Sequence, residues 1–157
     1  MLFVSATQHF VFYKKQSAGE AVQYSDYHTN IMKNFDNWNI KKKILDERKA
    51  PNPKTRDIWW SYTGINIGNE QNGGNKSFQR PVLILKKFNN KIFLALPLTT
   101  KEKNDKFHFK TIYKEQPSFI ILSQIKLMSS KRLRRKIRRL DRKEVDIIYQ
   151  KLKEIIF

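Results

Sequence analysis

Apolar residues near the end of the chain recur at the spacing of an amphipathic helix. They are Val145, Ile148, Tyr149, Leu152, Ile155 and Ile156. Steps of three and four positions place such residues on one helical face. Asp141, with Glu144 three positions later, resembles the capping box that begins many helices. The pattern predicts a C-terminal helix with one buried face.

Shorter apolar runs, which are typical of strands, fill the middle of the chain. They are DIWWSYT (57–63), PVLILKK (81–87), KIFLALPL (91–98), FHFKTIY (107–113) and SFIILSQIKLM (118–128). Asn89 and Asn90 favour a turn between the second and third runs. We expect Trp59 or Trp60 to point into the core, because neighbouring strand residues face opposite ways. The succession predicts a mainly β fold: a small antiparallel barrel closed by the C-terminal helix.

A further helix is predicted on the N-terminal side of these strands. The segment DNWNIKKKILDERK (36–49) begins with Asp36 and Asn37, and either residue suits a helix cap. Its apolar face would contain Trp38, Ile44 and Leu45.

The chain divides at the proline-rich stretch APNPKTR (50–56), which is typical of a linker. We expect an N-terminal extension over 1–50, a linker over 51–56 and one folded domain over 57–157. The opening MLFVSATQHFVFYKK (1–15) has no basic segment before its apolar pieces, so it is a poor signal peptide. It is also too short to cross a bilayer. We therefore expect a cytoplasmic protein that is not inserted into a membrane.

The charge changes this picture most. The formal net charge is +18, from 32 basic and 14 acidic residues. Residues 1–50 contribute +3 (8 basic, 5 acidic) and residues 51–157 contribute +15 (24 basic, 9 acidic). Such an excess predicts a polyanionic partner: nucleic acid, an acidic membrane surface or an acidic protein. The chain has no cysteine, which removes disulfides, thiol nucleophiles and cysteine-based zinc sites.

Arg80 stands directly before a predicted strand, and Pro81 restrains its backbone. Proline suits the first position of a strand and favours an extended conformation in the residue before it. A guanidinium fixed in this way suits phosphate, because its fork matches two oxygens. The alternative is a surface arginine paired with Glu70 or Asp57.

Four motifs, taken in order, resemble the PemK/MazF family of toxin endoribonucleases. They are IWWSYTGINIGNEQNGG, QRPVLIL, LPLTTK and SFIILSQIKLMSSKRLRRKIRRLDRKEV, and the match covers about residues 56–156. The resemblance implies a small SH3-like antiparallel β-barrel and a homodimer. It implies cleavage of single-stranded RNA without metal or other cofactor. It also implies control by a cognate acidic antitoxin.

The resemblance places three catalytic candidates at Arg80, Thr99 and Glu70. In cleavage without a metal, the 2′-OH of RNA attacks the adjacent phosphorus, a base accepts its proton, and charge grows on the non-bridging oxygens. Arg80 would stabilise that charge and Thr99 would hydrogen-bond the phosphate. Glu70 would act as base or orient Arg80. The alternatives are an ordinary strand-end threonine and a solvated loop carboxylate.

Further residues are expected to contact RNA: Asn69, Lys76, Thr100, Lys101, His108, Gln124, Lys126 and Arg132. Some family members carry an Arg-x-Asp pair as acid and base, but Ile121 and Ser123 occupy those positions here. The loop from Glu70 to Arg80 is also longer than in typical members. The mechanism based on arginine and threonine is therefore the one we retain.

The densest positive charge lies in KRLRRKIRRLDRK (131–143), where nine of thirteen residues are basic. Leu133, Ile137 and Leu140 recur at i, i+4 and i+7, so one face would be buried while the rest meets anions. We interpret the segment as a platform for RNA or antitoxin, with a solvated face as the alternative. A second function also fits: a catalytically silent basic module that binds nucleic acid or protein on the same barrel, such as a topoisomerase poison.

Overall fold

The computed structural model describes residues 33–74 and 77–157. Its elements in chain order are helix α1 (Phe35–Glu47), β1 (Asp57–Tyr62), β2 (Gln79–Lys87), β3 (Ile92–Thr99), β4 (His108–Tyr113), β5 (Gln116–Ile121), β6 (Lys126–Ser129), a 3-10 turn (Ser130–Arg132), β7 (Leu133–Arg139) and helix α2 (Arg142–Ile156). The fold is mainly β with two helices, as predicted. Within these residues, neither helix is long and apolar enough to cross a membrane.

The strands form one antiparallel sheet in the order β4-β5-β3-β2-β1-β7, and β6 pairs with β3 outside this path. The same edge of β3 serves two partners, because Ile92–Ala95 pair with β6 whereas Leu98 and Thr99 pair with β5. Register shifts interrupt the pairing of β2 with β3 and of β1 with β7. Such irregularities bend a strand and increase its twist. The sheet is therefore curled into a half-barrel.

The main core lies between this curled sheet and α2. Val145, Ile148 and Leu152 of α2 are buried against strand residues that include Leu83 and Leu96. Burial of each such side chain contributes about 1.5–3 kcal/mol. The predicted C-terminal helix is confirmed, and three residues of its predicted apolar face are buried, whereas Tyr149 (39% exposed) and Ile156 (53% exposed) lie outside the buried face. Asp141 caps the helix, as expected, by accepting a hydrogen bond from the N–H of Arg142 at 2.8 Å.

Helix α1 packs on the barrel through a small cluster of its own. Trp38 and Leu45 are buried against Tyr62 and Phe78. Gly64 lies beneath the indole with φ of +82°, and a Cβ atom built there would be 2.1 Å from Cε2 of Trp38. Glycine is thus needed for both the backbone conformation and the close approach. Residues 33–157 form one compact unit. The division of the chain at residues 50 and 56 stays a prediction, and residues 1–32 of the extension lie outside the described part.

Two details of α1 differ from the expectation. Asn34, rather than Asp36 or Asn37, caps the helix: its Oδ1 accepts a hydrogen bond from the N–H of Asn37 at 3.0 Å. Ile44 does not share the buried face and is 57% exposed. Among the residues of α1, only Trp38 and Leu45 are buried.

The basic segment after residue 130 is a strand, which its helical spacing did not suggest. β7 pairs along β1, with Trp59 opposite Lys136 and Trp60 opposite Arg135. A separation of four residues fits both periods, because it is one helical turn and also two strand repeats. Leu133 and Ile137 could therefore be inward-facing residues of either element.

One of the two tryptophans, Trp59, packs against the core as predicted, but it is only partly buried. Both Trp59 and Trp60 are half-buried. Trp59 packs against a second buried cluster that contains Val82 and Phe93. The bulge in the β1–β7 pairing disturbs the simple alternation of faces at this point.

Candidate functional site: a cationic cavity at the strand ends

A cavity of about 450 Å³ opens where β2 begins and β3 ends. The residues that line it are Ile58, Trp60, Gly74, Gln79, Arg80, Pro81, Leu98, Thr99, Thr100, Lys101, Tyr113, Ser118, Ile137 and Arg138. Three of these side chains are cationic and none is a carboxylate or a histidine. The lining therefore favours an anionic ligand, with Trp60 and Tyr113 offering aromatic surface beside it.

Arg80 is held at this cavity by backbone carbonyl groups. Its Nε donates to the carbonyl of Asn72 at 2.5 Å, and its Nη1 donates to the carbonyl of Leu98 at 2.9 Å. Partial burial lowers the pKa of Arg80 below its ordinary value, yet an arginine remains protonated in proteins. Two neutral acceptors fix the guanidinium without cancelling its charge.

The expected alternative for Arg80, an ion pair with Glu70 or Asp57, does not form. Glu70 Oε2 lies 3.1 Å from Nζ of Lys126. Asp57 Oδ1 lies 2.7 Å from Nζ of Lys136. Both carboxylates are engaged by lysines, so the charge of Arg80 is available to a ligand.

Thr99 occupies the last position of β3 and lines the same cavity. Its Oγ1 accepts a hydrogen bond from the N–H of Lys101 at 3.2 Å. Its hydroxyl proton can still be donated to a ligand, because a hydroxyl both donates and accepts. The bond from Arg80 to Leu98 connects the start of β2 to the end of β3, so Arg80 and Thr99 are positioned by the same piece of sheet.

Arg138 also lines the cavity, although no motif in the sequence singled it out. Its Nη2 donates to Oγ1 of Thr111 at 2.6 Å, and that hydroxyl donates to Oε1 of Glu144 at 2.6 Å. Thr111 is only 3% exposed. Its single proton goes to the carboxylate, so it must accept from Arg138. The guanidinium also lies over the ring of Tyr113, 5.2 Å from the centroid.

Glu144 therefore does not complete the predicted capping box. Its carboxylate accepts a hydrogen bond from the Thr111 hydroxyl and not from the backbone at the start of α2.

Arg138 lies within a basic run, and the sequence could not distinguish it from its neighbours, because its partner Thr111 lies 27 positions away on β4.

Four of the expected RNA-contacting or catalytic residues form a separate cluster outside the cavity lining. Lys126 pairs with Glu70. Gln124 accepts from the N–H of Gln71 at 3.3 Å and donates to the carbonyl of Asn69 at 3.4 Å. These contacts tie the loop after β1 to the β5–β6 connection.

The remaining expected contacts are dispersed. His108 Nδ1 lies 2.6 Å from Asp105 Oδ1, and this hydrogen bond lowers the pKa of the Asp105 carboxyl. Arg132 Nη1 donates to the carbonyl of Tyr62 at 3.0 Å, beneath α1. Of the expected contacts, Thr100 and Lys101 line the cavity, whereas Lys76 lies outside the described residues. Over residues 33–74 and 77–157, no group of three or more histidine or acidic side chains is placed to hold a metal ion.

A curled half-barrel with a cationic cavity at its strand ends defines a small, basic β-barrel protein equipped for an anionic ligand. A comparison with known protein families identifies the family to which the chain belongs. The model of the PemK-like, MazF-like toxin of type II toxin–antitoxin systems matches residues 54–156. The chain therefore belongs to this family.

Solved structures agree on the fold. The MazF structure from Deinococcus radiodurans (Form-I) is similar with a TM-score of 0.56 and 18% identity, over 69% of this chain and 98% of that one. The MazE–MazF structure from the same organism (Form-II) gives a TM-score of 0.50 and 16% identity, over 69% of this chain and 97% of that one. A search of curated proteins finds no significant match.

Proposed function

We propose that this protein is an endoribonuclease toxin that cleaves single-stranded mRNA at the cavity of Arg80 and Thr99. The observation that carries the proposal is the state of Arg80. Its guanidinium is fixed by two carbonyl groups, keeps its charge and faces a cavity without carboxylates among its described lining residues. This is the arrangement that a scissile phosphate requires.

In the proposed reaction, the 2′-OH of one nucleotide attacks the adjacent phosphorus, and the bond to the 5′-oxygen breaks. Two of the five N–H groups of Arg80 are used by carbonyls, so the others remain to bind the non-bridging oxygens as their charge grows. Thr99 donates a hydrogen bond to the same phosphate. The products carry 2′,3′-cyclic phosphate and 5′-hydroxyl ends.

The proposal assigns the proton of the 2′-OH to water. Glu70 is engaged by Lys126 and does not line the cavity, and the described lining residues include no histidine or carboxylate. Protonation of the departing 5′-oxygen is likewise assigned to water. Catalysis then depends mainly on positioning and on stabilisation of charge, and it requires no metal or other cofactor.

The partner proposed for control is a cognate acidic antitoxin. The related Form-II structure from Deinococcus radiodurans is one of MazE with MazF. In this chain, residues 51–157 carry a formal charge of +15, which favours fast, salt-sensitive association with an acidic segment. Such a segment would neutralise the cations that RNA needs and compete with it. We also propose a homodimer, and a cytoplasmic location where mRNA is found.

The deciding experiment incubates the purified protein with a mixed single-stranded RNA in the presence of EDTA and maps the ends. Cleavage with 5′-hydroxyl ends is expected for the natural protein and not for Arg80→Ala. Products with 5′-phosphate ends, or cleavage that EDTA abolishes, would contradict the mechanism.

The lack of a histidine or carboxylate among the described lining residues favours one alternative. In that alternative the barrel binds a nucleic acid or a protein, as a topoisomerase poison does, without cutting RNA. The same assay separates the two functions, since the alternative predicts RNA that stays intact at every protein concentration.

A further inference from the structure

A second cavity, of about 410 Å³, lies between α1 and the 3-10 turn after β6. Lys42 and Lys43 line it from α1, and Lys131 and Arg132 line it from the turn. The family match begins at residue 54, so α1 and its two lysines are additional to the part of the chain that the family describes.

The charges at this second cavity are unbalanced. Asp46 is the one carboxylate among its lining residues in the described part of the chain. Lys131 already engages Asp46, with Nζ bonded to its carbonyl and 3.2 Å from its Oδ1. Four cations against one carboxylate leave a formal charge of +3. Such a concave group of cations attracts an anion.

Arg132 is the most enclosed of these cations. It is half-buried, donates to the carbonyl of Tyr62 at 3.0 Å and lies over the ring of Trp38, 5.4 Å from the centroid. Within residues 33–74 and 77–157, no carboxylate lies within 4.0 Å of its guanidinium. A guanidinium that is shielded from water but unpaired with an acid is ready for a phosphate.

The second cavity lies close to the first one across the sheet. Ser61 on β1 is paired with Arg80 on β2 and with Leu133 on β7. The backbones of Arg80 and Leu133 are thus two strand spacings apart, about 10 Å. Between the cavities, Arg134 Nη1 donates to Oε1 of Gln79 at 2.9 Å, and Gln79 lines the first cavity. Cationic groups therefore continue from one cavity to the other.

We propose that the cavity beneath α1 binds a phosphodiester group of the same RNA strand that occupies the first cavity, at a nucleotide beyond the cleaved one. The inference rests on the proposed function, and it adds α1 to the RNA-binding surface. The continuity of cations between the cavities favours one extended strand over a separate acidic peptide, because successive phosphates follow such a track.

The test measures binding of a non-cleavable 2′-O-methyl RNA by fluorescence anisotropy over a series of salt concentrations. The variant K42Q/K43Q is compared with K151Q/K153Q, which removes the same charge from α2. A dinucleotide, whose single phosphodiester group cannot occupy both cavities at once, is compared with an oligonucleotide of about 16 nucleotides, the upper size that single-stranded sites cover. Arg132 is left unchanged because it packs on Trp38.

For the long RNA, K42Q/K43Q should bind more weakly than the control and lower the salt slope by about 0.7, the contribution of one phosphate contact on a single strand. The short RNA should bind both variants alike. Equal loss in the two variants would overturn the subsite while leaving the proposed function intact. No RNA binding by the natural protein would overturn both proposals. Weakened binding of an acidic peptide, with RNA binding unchanged, would assign the cavity to a protein partner instead.

Discussion

Arg138 and Thr111 join the two edges of the sheet by a single hydrogen bond. Arg138 lies on β7 and Thr111 on β4, which are the last and first strands in the sheet order. The 2.6 Å bond between them, continued by Thr111 to Glu144 of α2, spans the open side of the half-barrel. These side-chain hydrogen bonds thus link β4 and β7, which the backbone hydrogen bonds of the sheet do not join, and they lie beside the cavity that Arg80 lines.

We expect Thr111→Val to destabilise the protein by about 1–3 kcal/mol, because a carboxylate and a guanidinium each lose a partly buried partner. Urea unfolding measures this change. Thr111→Ser is the matched control, since it keeps the hydroxyl. If valine and serine variants unfold at the same urea concentration, the relay contributes nothing to stability.

We expect Arg80→Ala to lower the rate of RNA cleavage by about 10²–10³, the usual cost of losing one group that stabilises charge in the transition state. Arg139→Ala removes the same charge from an exposed position and should cleave nearly as well as the natural protein. Arg80→Lys should stay impaired, because an ammonium group lacks the planar fork. Single-turnover rates decide the matter, and an unimpaired Arg80→Ala would remove Arg80 from the mechanism.

Thr99→Val should also lose activity, with little change in melting temperature. Thr99 is half-buried and bonds only to the nearby N–H of Lys101 among its described side-chain contacts, so its removal disturbs little of the fold. Thr99→Ser, which keeps the hydroxyl, is the control and should retain activity. A Thr99 variant that fails to fold would show a structural role instead.

The stability of the protein should fall at high pH through Tyr149. Its hydroxyl donates to the carbonyl of Leu85 at 2.6 Å, and burial raises the pKa of Tyr149 above its ordinary value of 10.0. The unfolded chain then loses this proton at a lower pH than the folded one. The contribution is complete below about pH 10 and is lost as the pH rises from there through the raised pKa. Tyr149→Phe should unfold with less dependence on pH in this range, and an unchanged profile would contradict the assignment.

The sequence predicted those elements whose pattern arises locally. The periodicity of Val145, Ile148 and Leu152 identified α2, and Asn89 indeed forms the predicted turn by accepting from the N–H groups of Lys91 and Ile92. The Arg-Pro pair correctly indicated a restrained guanidinium at the start of a strand. What restrains it, the carbonyls of Asn72 and Leu98, could not be inferred from the pattern.

Non-local contacts account for what the sequence did not reveal. Glu70 and Lys126 are 56 positions apart, and the structure pairs them outside the lining of the cavity, whereas the catalytic role expected of Glu70 stays a prediction. Arg138 reaches the cavity only because β7 is a strand at the sheet edge, while its spacing of apolar residues fitted a helix equally well. The role of a residue cannot be inferred from periodicity when it depends on which edges of the sheet lie together.

The close approach of Trp38 to Gly64 has a consequence for how the protein could be shortened. A chain trimmed to residues 54–156 would lose the indole of Trp38, which covers Tyr62 and Phe78. Gly64 has no side chain that could fill the space left by the indole. Newly uncovered aromatic surface of this kind promotes self-association. Helix α1 therefore covers aromatic side chains of the barrel, and the solubility of the protein should depend on keeping this helix.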